Sequence, residues 1–357
     1  MTDTLASPPS IVTTAWLAEN ANRPDVRVVD VTTYLLQPGA VSGFAQALPY
    51  DGPPPTVAGA AFTEISKFLT GEQGDGAVAI DGTTMRLTIH PSQDGPGVYK
   101  FWSGRESYAE SHIPGAVYAD INDFNDPTSS VPYTAVDHKT FAERAGALGL
   151  GDPDTTIVLY DQGVGISFWA SRLWWQFRLE GFPQVAVLEG GYRKWRAEGR
   201  PSATGEELLP PTTFDWSRRP ELRYTTEDVE AAINDPDKLI IDSLSAAEYA
   251  GTVSGFGGRG HIPSSVNVSC NDHTEPGTST LLNQDELKQR LTEQGVLNQD
   301  RTVVAYCGGG IGATWNALVL DHLGKKDVAI YDGSMFEWSS DPDRPLEASS
   351  RTDATRP

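Results

Sequence analysis

The feature that most constrains the fold is an internal repeat, because one αβ unit occurs twice along the chain. Residues 155–195 contain a Val- and Leu-rich run, a glycine-containing loop, an apolar stretch, a second Val-rich run and a glycine turn, ending at Trp195. Residues 301–338 show the same order and end at Trp338. The match continues upstream, where the tripeptide His-Ile-Pro begins at His112 and again at His261. Two such copies predict two tandem domains of one architecture.

Short Val- and Ile-rich runs without polar alternation are typical of strands buried on both faces of a parallel sheet. Helices between them supply the crossovers. We therefore predict an α/β protein in which each domain is a mostly parallel sheet covered by helices on both faces. Residues 201–220 contain several prolines and no hydrophobic periodicity, which indicates a connection between the two domains. The predicted boundaries are an N-terminal domain at 1–203, a linker at 204–220 and a C-terminal domain at 221–357.

The first copy carries an insertion at about residues 35–103, rich in proline and glycine. Within it, Ala77 to Ile80 and Thr83 to Ile89 flank Asp81-Gly82, which predicts a hairpin with a type I′ turn. Such an insertion is compatible with surface decoration, a packing element, a lid or an oligomer contact. The sequence does not choose among these roles.

The net charge of −21, from 48 acidic and 27 basic residues, restricts the partners. Binding to nucleic acid needs a basic face, and anionic membranes repel an acidic one, so we expect neither partner. The two cysteines, Cys270 and Cys307, are too few for a disulfide framework, and no second ligand pair complements Cys270 and His273. We expect no metal or organic cofactor. Without a signal peptide or an apolar run of membrane length, the sequence predicts a cytoplasmic protein.

The decisive motif is Cys307-Gly308-Gly309-Gly310-Ile311-Gly312, which stands between a predicted strand and a predicted helix. Ligands bind open α/β sheets at the carboxyl ends of their strands. Glycines let successive N–H groups converge on one point, and the helix N-terminus adds its positive dipole end. These dipoles favour the thiolate over the thiol, and the thiolate is the reactive form. We predict Cys307 as the nucleophile and residues 308–312 as its anion-binding backbone.

Other interpretations of this loop exist. A free cysteine is commonly a small buried hydrophobe, although three consecutive glycines cost conformational entropy unless exposed backbone is needed. A phosphate-binding loop would end in Gly-Lys-Ser/Thr, which is missing here.

The motif Cys307-Gly-Gly-Gly-Ile resembles the active-site loop of tandem rhodanese-domain sulfurtransferases, a family that includes thiosulfate and 3-mercaptopyruvate sulfurtransferases. Further motifs are similar to that family: the two His-Ile-Pro tripeptides, Arg172-Leu-Trp-Trp, Leu188-Glu-Gly-Gly and Tyr331-Asp-Gly-Ser. The resemblance covers nearly the whole chain except the insertion and the termini. It implies a non-catalytic first domain, and Asp161 stands there at the position equivalent to Cys307.

The resemblance also implies the chemistry. The thiolate attacks the outer sulfur of a small anionic donor, thiosulfate or 3-mercaptopyruvate, and becomes a persulfide. A thiophilic acceptor then removes that sulfur; cyanide, thiols and reduced thioredoxin are the candidates. The backbone amides would stabilise the negative sulfur as an oxyanion hole does.

The donor stays open because the loop departs from both subfamily patterns. Thiosulfate-preferring enzymes have loops similar to Cys-Arg-Lys-Gly-Val-Thr, and here Gly308 and Gly309 replace the two cations. Mercaptopyruvate enzymes have loops similar to Cys-Gly-Ser-Gly-Val-Thr, and here Gly309 and Gly312 replace the two hydroxyl residues. Arg259 corresponds to arginines with which the family binds anionic substrates. An ion pair at the domain interface is an alternative role for Arg259, and we weight the two equally. Asn122 stands where some relatives have a first-domain Asp, and His138 lies only near the position of the accompanying His.

Two other functions remain as alternatives. A persulfide carrier or sensor for one dedicated partner protein would need the same cysteine. A cysteine phosphatase would need a loop one residue longer with an arginine at its end, but the sixth residue after Cys307 is Ala313.

Overall fold

The computed structural model describes residues 7–36, 76–80, 83–87, 100–162, 165–253, 256 and 260–348. Within these ranges the chain forms two five-stranded sheets, one in each predicted domain. No helix in these ranges combines the length and the apolar character that crossing a bilayer requires. The predicted α/β architecture, with parallel sheets flanked by helices, is confirmed.

The first sheet has the strand order β1-β9-β8-β2-β7, and every neighbouring pair in it is parallel. Its strands are β1 (Ile11–Val12), β2 (Val26–Asp30), β7 (Val117–Tyr118), β8 (Thr156–Tyr160) and β9 (Val185–Leu188). Two further strand pairs lie outside the sheet: β3 (Thr33–Leu36) pairs with β6 (Lys100–Ser103), and β4 (Gly76–Ile80) pairs with β5 (Thr83–Leu87).

The second sheet repeats this order as β10-β14-β13-β11-β12, again with parallel pairs throughout. Its strands are β10 (Arg223–Tyr224), β11 (Lys238–Asp242), β12 (Val266–Asn267), β13 (Thr302–Tyr306) and β14 (Ala329–Tyr331). Because the central strand β13 corresponds to β8, the structure confirms that the sequence repeat is a repeat of the fold.

Helices connect the strands and cover both faces of each sheet. In the first domain they are α1 (Thr14–Asn20), α2 (Arg105–Glu110), α3 (His138–Ala147), α4 (Phe168–Leu179) and α5 (Gly191–Ala197). In the second domain they are α6 (Thr226–Ala232), α7 (Ala246–Tyr249), α8 (Gln284–Glu293), α9 (Gly312–His322) and α10 (Ser334–Trp338). Short 3₁₀ helices lie at Ile121–Phe124, Pro220–Leu222 and Cys270–His273.

Alternation along the strands divides the interior into three hydrophobic clusters. Along β8, Ile157 and Leu159 face a central cluster, whereas Val158 and Tyr160 face an outer cluster of the first domain. The equivalent strand β13 behaves in the same way towards its own outer cluster. Side chains of both domains share the central cluster, which includes α4 and α9. The two domains are therefore packed against each other through a common apolar core.

The predicted hairpin in the insertion is present, since β4 and β5 pair antiparallel with Ile80 opposite Thr83. Its turn residues, Asp81 and Gly82, lie outside the described residues, as does most of the insertion.

Candidate active site

The glycine-rich loop begins where the central strand of the second sheet ends. Cys307 directly follows β13 and is only 4% exposed. The loop leads into α9 at Gly312, so the N-terminal end of that helix lies beside the cysteine. A Cβ placed on Gly312 would lie 3.7 Å from the Cβ of Cys307, which shows how closely the helix start approaches it.

The loop is fastened to the turn that follows β14. The N–H of Cys307 donates to the Oγ of Ser334 at 3.1 Å, and its carbonyl accepts from the N–H of Met335 at 3.0 Å. The carbonyl of Gly308 accepts from Phe336 at 2.9 Å. Ser334 takes a positive φ of 50°, a conformation rare for a residue with a side chain. These contacts fix the backbone on both sides of the cysteine.

The next N–H groups of the loop are not used in this fastening. Among the described residues, none accepts a hydrogen bond from the N–H groups of residues 308–311. Gly310 has φ +75°, which an alanine would adopt only with strain. A run of such amides next to a helix N-terminus is suited to an anion.

The first domain contains the counterpart of this loop after β8. The carbonyl of Asp161 accepts from Tyr192 at 2.8 Å and that of Gln162 from Arg193 at 3.0 Å, as Cys307 and Gly308 do in the second domain. The carboxylate of Asp161 accepts from the N–H of Ala170, in the first turn of α4, at 3.3 Å. The equivalent position in the first domain therefore holds a carboxyl side chain that is bonded to a helix amide.

A buried cation from the first domain supports the loop from behind. The guanidinium of Arg172, on α4, donates to the carbonyl of Gly310 at 3.1 Å and to the carbonyl of Tyr133. It also pairs with the Oδ1 of Asp332 at 2.7 Å and lies over the ring of Trp175 at 4.5 Å. Because Arg172 is fully buried, these contacts are shielded from water.

The second cysteine lies on the other side of the helix start. A Cβ on Gly312 would be 3.2 Å from the Sγ of Cys270, so both cysteines flank this glycine. Both are free thiols. Burial, with a smaller contribution from Cys307, raises the pKa of Cys270 far above that of an ordinary thiol. Cys270 is therefore held in its protonated form.

The histidines of the two His-Ile-Pro tripeptides make the same contacts in both domains. The Nδ1 of His112 bonds to the carbonyl of Tyr108 at 2.8 Å, and the Nδ1 of His261 bonds to that of Tyr249 at 2.7 Å. In each pair the two rings are stacked. The same arrangement in both domains indicates that the two turns share a packing function.

The other candidate residues named from the sequence are Arg259, Asn122 and His138. Arg259 lies outside the described residues. Asn122 donates to the carboxylate of Asp120 at 2.9 Å, and the Nδ1 of His138 bonds to Glu180 at 2.6 Å.

Sequence reasoning assigned no site role to several residues that contact the loop. Arg172, Asp332 and Ser334 belong to motifs whose only signal in the sequence is their resemblance to the family. Tyr133 carried no signal at all. The signal that could have found Ser334 is its position directly after the glycine turn of the second copy.

Comparison with known proteins agrees with this fold. The family model for the rhodanese-like domain matches residues 103–198 and 225–341. A mitochondrial thiosulfate/3-mercaptopyruvate sulfurtransferase of Arabidopsis thaliana is 35% identical over 275 residues, covering 68% of this chain and 69% of that protein. A thiosulfate sulfurtransferase of Bos taurus is 35% identical over 240 residues, covering 66% of this chain and 79% of that protein.

A solved structure gives the same result. The crystal structure of SseA from Escherichia coli, described with the rhodanese fold of 3-mercaptopyruvate sulfotransferases, superposes with a TM-score of 0.64. It is 26% identical and covers 92% of this chain and 99% of that one. With family matches in both domains, this chain belongs to the rhodanese-like domain family.

Proposed function

We propose that the protein is a sulfurtransferase that carries sulfur as a persulfide on Cys307. The observation that supports this most directly is the set of N–H groups at residues 308–311, which no described residue uses, beside a cysteine at the start of α9. The names of the relatives agree with such chemistry. The carboxylate of Asp161, held by an amide at the equivalent position, indicates that this backbone accommodates negative charge.

The reaction has two balanced steps. With thiosulfate, the thiolate of Cys307 attacks the outer sulfur, the S–S bond breaks, and sulfite leaves with the electron pair. With 3-mercaptopyruvate, it attacks the thiol sulfur, the C–S bond breaks, and the leaving enolate takes up the thiol proton to become pyruvate. A nucleophilic acceptor then attacks the outer sulfur of the persulfide and restores the thiolate. The amides of Gly308, Gly309, Gly310, Ile311 and Gly312 would stabilise the sulfur anion in both states.

The donor we propose is small and anionic, thiosulfate or 3-mercaptopyruvate, since both names occur among the relatives. Arg259 is our proposed contact for its carboxylate or sulfonate end. Cyanide, a small thiol or thioredoxin would serve as the acceptor. We further propose that residues 1–203 form the non-catalytic domain, that 204–220 form the linker and that 221–357 form the catalytic domain.

The compartment we propose is the cytoplasm, because a free nucleophilic thiol needs a reducing environment. The relative from Arabidopsis thaliana is named as mitochondrial, and a mitochondrial matrix would meet the same need. Cell fractionation followed by immunodetection separates the two locations.

The decisive experiment is intact-mass analysis after separate incubation with thiosulfate and 3-mercaptopyruvate. One added sulfur raises the mass by about 32 Da. We expect this adduct in the wild type and in Cys270→Ser, but not in Cys307→Ser. An adduct that survives Cys307→Ser, or its absence with both donors, would contradict the proposal. Turnover with cyanide then distinguishes an enzyme from a carrier.

A further inference from the structure

A cavity of about 340 Å³ lies where the predicted linker meets the second sheet. We call it the linker cavity. Its lining comes from the linker and the turn after it, from β10, and from the turn and helix that follow β14, and it includes Arg218, Pro220, Arg223, Tyr224, Asp332 and Glu337. None of the described residues that line it belongs to the cysteine loop, residues 307–312. The linker cavity is therefore distinct from the candidate active site.

Two arginines bring positive charge to the linker cavity. The side chains of Arg218 and Arg223 are 25% and 33% exposed, so both reach water as well as protein. Arg223 donates no hydrogen bond to any residue that the structure describes. Arg218 donates one, a long contact of 3.5 Å to the carbonyl of Val136. Both guanidinium groups therefore keep most of their N–H donors for a ligand.

The carboxylate of Asp332 also lines the linker cavity, but its charge is already compensated. Its Oδ2 accepts from the N–H of Ala135 at 2.9 Å and lies 3.2 Å from the Nε of Arg223. Its Oδ1 pairs with Arg172 at 2.7 Å. Because two guanidinium groups share this one carboxylate, a surplus positive charge remains on this side of the cavity.

The two glutamates nearest to these arginines are engaged as well. The side chain of Glu180 is only 1% exposed, and it bonds to His138 at 2.6 Å in addition to its ion pair with Arg218 at 3.3 Å. Glu337 interacts with the hydroxyl of Tyr331. Each acidic group near the arginines thus has a further partner within the protein, which leaves part of each guanidinium unopposed.

The protein as a whole repels anions, since its net charge is −21. An anion that binds here must therefore be held by direct contacts. Guanidinium groups present paired N–H donors that match the oxygens of sulfate and phosphate. A volume of about 340 Å³ lies at the lower end of the range for small-molecule sites, so the cavity has room for such an ion and a short organic group.

We infer that the linker cavity is a binding site for a tetrahedral oxyanion, a sulfate or a phosphate group, either free or attached to a small metabolite. Arg218 and Arg223 hold its oxygens. The remaining volume beside Pro220 and Tyr224 receives the organic part when there is one. This site takes no part in the proposed persulfide chemistry, so each of the two hypotheses stands or fails without the other.

Isothermal titration calorimetry of the full chain tests the inference with sodium sulfate, sodium phosphate and glycerol 3-phosphate. Sodium chloride keeps the ionic strength constant and serves as the reference anion. We expect saturable binding of all three oxyanions with a Kd of about 1 mM or lower, and none of chloride. Tighter binding of glycerol 3-phosphate than of phosphate identifies the ligand as an organic phosphate, whereas equal affinities identify the free ion.

Arginine variants assign the binding to this cavity. Arg223→Lys keeps a positive charge beside Asp332 but loses the paired donors, and Arg218→Gln loses the charge itself. Each should weaken binding by about tenfold or more, as expected for the loss of a charged hydrogen bond. Arg200→Gln is the matched control: Arg200 is 24% exposed, pairs with Glu198 at 2.7 Å and does not line the cavity, so the affinity should not change.

Two results would overturn the inference. One is the absence of saturable binding of all three oxyanions. The other is binding that both Arg223→Lys and Arg218→Gln retain, which would place the anion elsewhere, for instance at the amides of the cysteine loop. Circular dichroism shows whether each variant is folded, and Arg223→Lys decides the question if Arg218→Gln does not fold. Persulfide formation on Cys307 is measured separately by intact mass, so it reports on the proposed function alone.

Discussion

Replacing Arg172 by methionine tests whether one buried cation holds the cysteine loop and the two domains together. Arg172 belongs to the first domain, whereas Gly310 and Asp332, which it contacts at 3.1 and 2.7 Å, belong to the second. Methionine retains most of the apolar volume of the side chain and removes its charge and its donors. The change therefore leaves the Asp332 carboxylate buried without its main partner.

The expected cost follows from the partners that remain. Removing one member of a buried ion pair costs about 3–5 kcal/mol because the other charge stays buried. Asp332 would keep the N–H of Ala135 at 2.9 Å and the Nε of Arg223 at 3.2 Å, which favours the lower end of this range. We therefore expect the free energy of unfolding to fall by about 3 kcal/mol.

Urea unfolding of the wild type and of variants measures this loss. Arg178→Met is the matched control, because Arg178 lies on the same helix and pairs with a half-exposed Asp327 at 3.4 Å. It should cost less than about 1 kcal/mol. A double-mutant cycle with Asp332→Asn isolates the pair itself. The reasoning fails if Arg172→Met costs no more than Arg178→Met, or if the cycle shows no coupling.

Three further predictions concern side chains whose pKa is shifted by burial. Burial raises the pKa of Asp242 to about 6, so the folded form takes up a proton before the unfolded form does. Urea titrations should therefore show the free energy of unfolding rising by about 2 kcal/mol as pH falls from 7 to 4, an increase that should be absent in Asp242→Asn. Burial lowers the pKa of His273 to about 4, so its effect on stability has the opposite sign. The free energy of unfolding should fall by about 3 kcal/mol as pH falls from 6.5 to 4, and His273→Gln should remove that loss. Because burial raises the pKa of Cys270, iodoacetamide at pH 8 should alkylate it more than about tenfold more slowly in the folded protein than in urea, and peptide mass spectra showing equal rates would contradict this.

The sequence predicted the architecture well because the repeat and the strand composition are local signals. Val- and Ile-rich runs fix which segments become buried strands, and their order in two copies fixes the parallel sheet. The position of Cys307 at the end of β13 follows from the same pattern, since a strand, a glycine run and a helix occur consecutively. Helix ends depend on capping contacts that the repeat does not show: α3 begins at His138 because Asp137 caps it through the N–H of Thr140.

The contacts between the domains could not be predicted in this way. Arg172 and Asp332 are far apart in the sequence, and only the packing of α4 against α9 brings the first to the second. Tyr133 likewise reaches the loop because the first domain is positioned over the second one. A repeat specifies what each copy folds into, but the mutual placement of the copies depends on the shapes of their surfaces.

The duplication itself explains how a single backbone pattern can serve two different purposes. Ser171 and Thr314 occupy equivalent helical positions and contact each other at 3.1 Å, so the two halves meet at their related helices. The residues that follow them differ: Arg172 supports the cysteine loop, whereas the equivalent residue Trp315 has no charge to offer. In the first domain the side chain of Asp161 accepts from the helix amide, and it has no sulfur to exchange. In the second, as we propose, the anion forms and leaves with each transfer, and Arg172 supports the loop that receives it from the other domain.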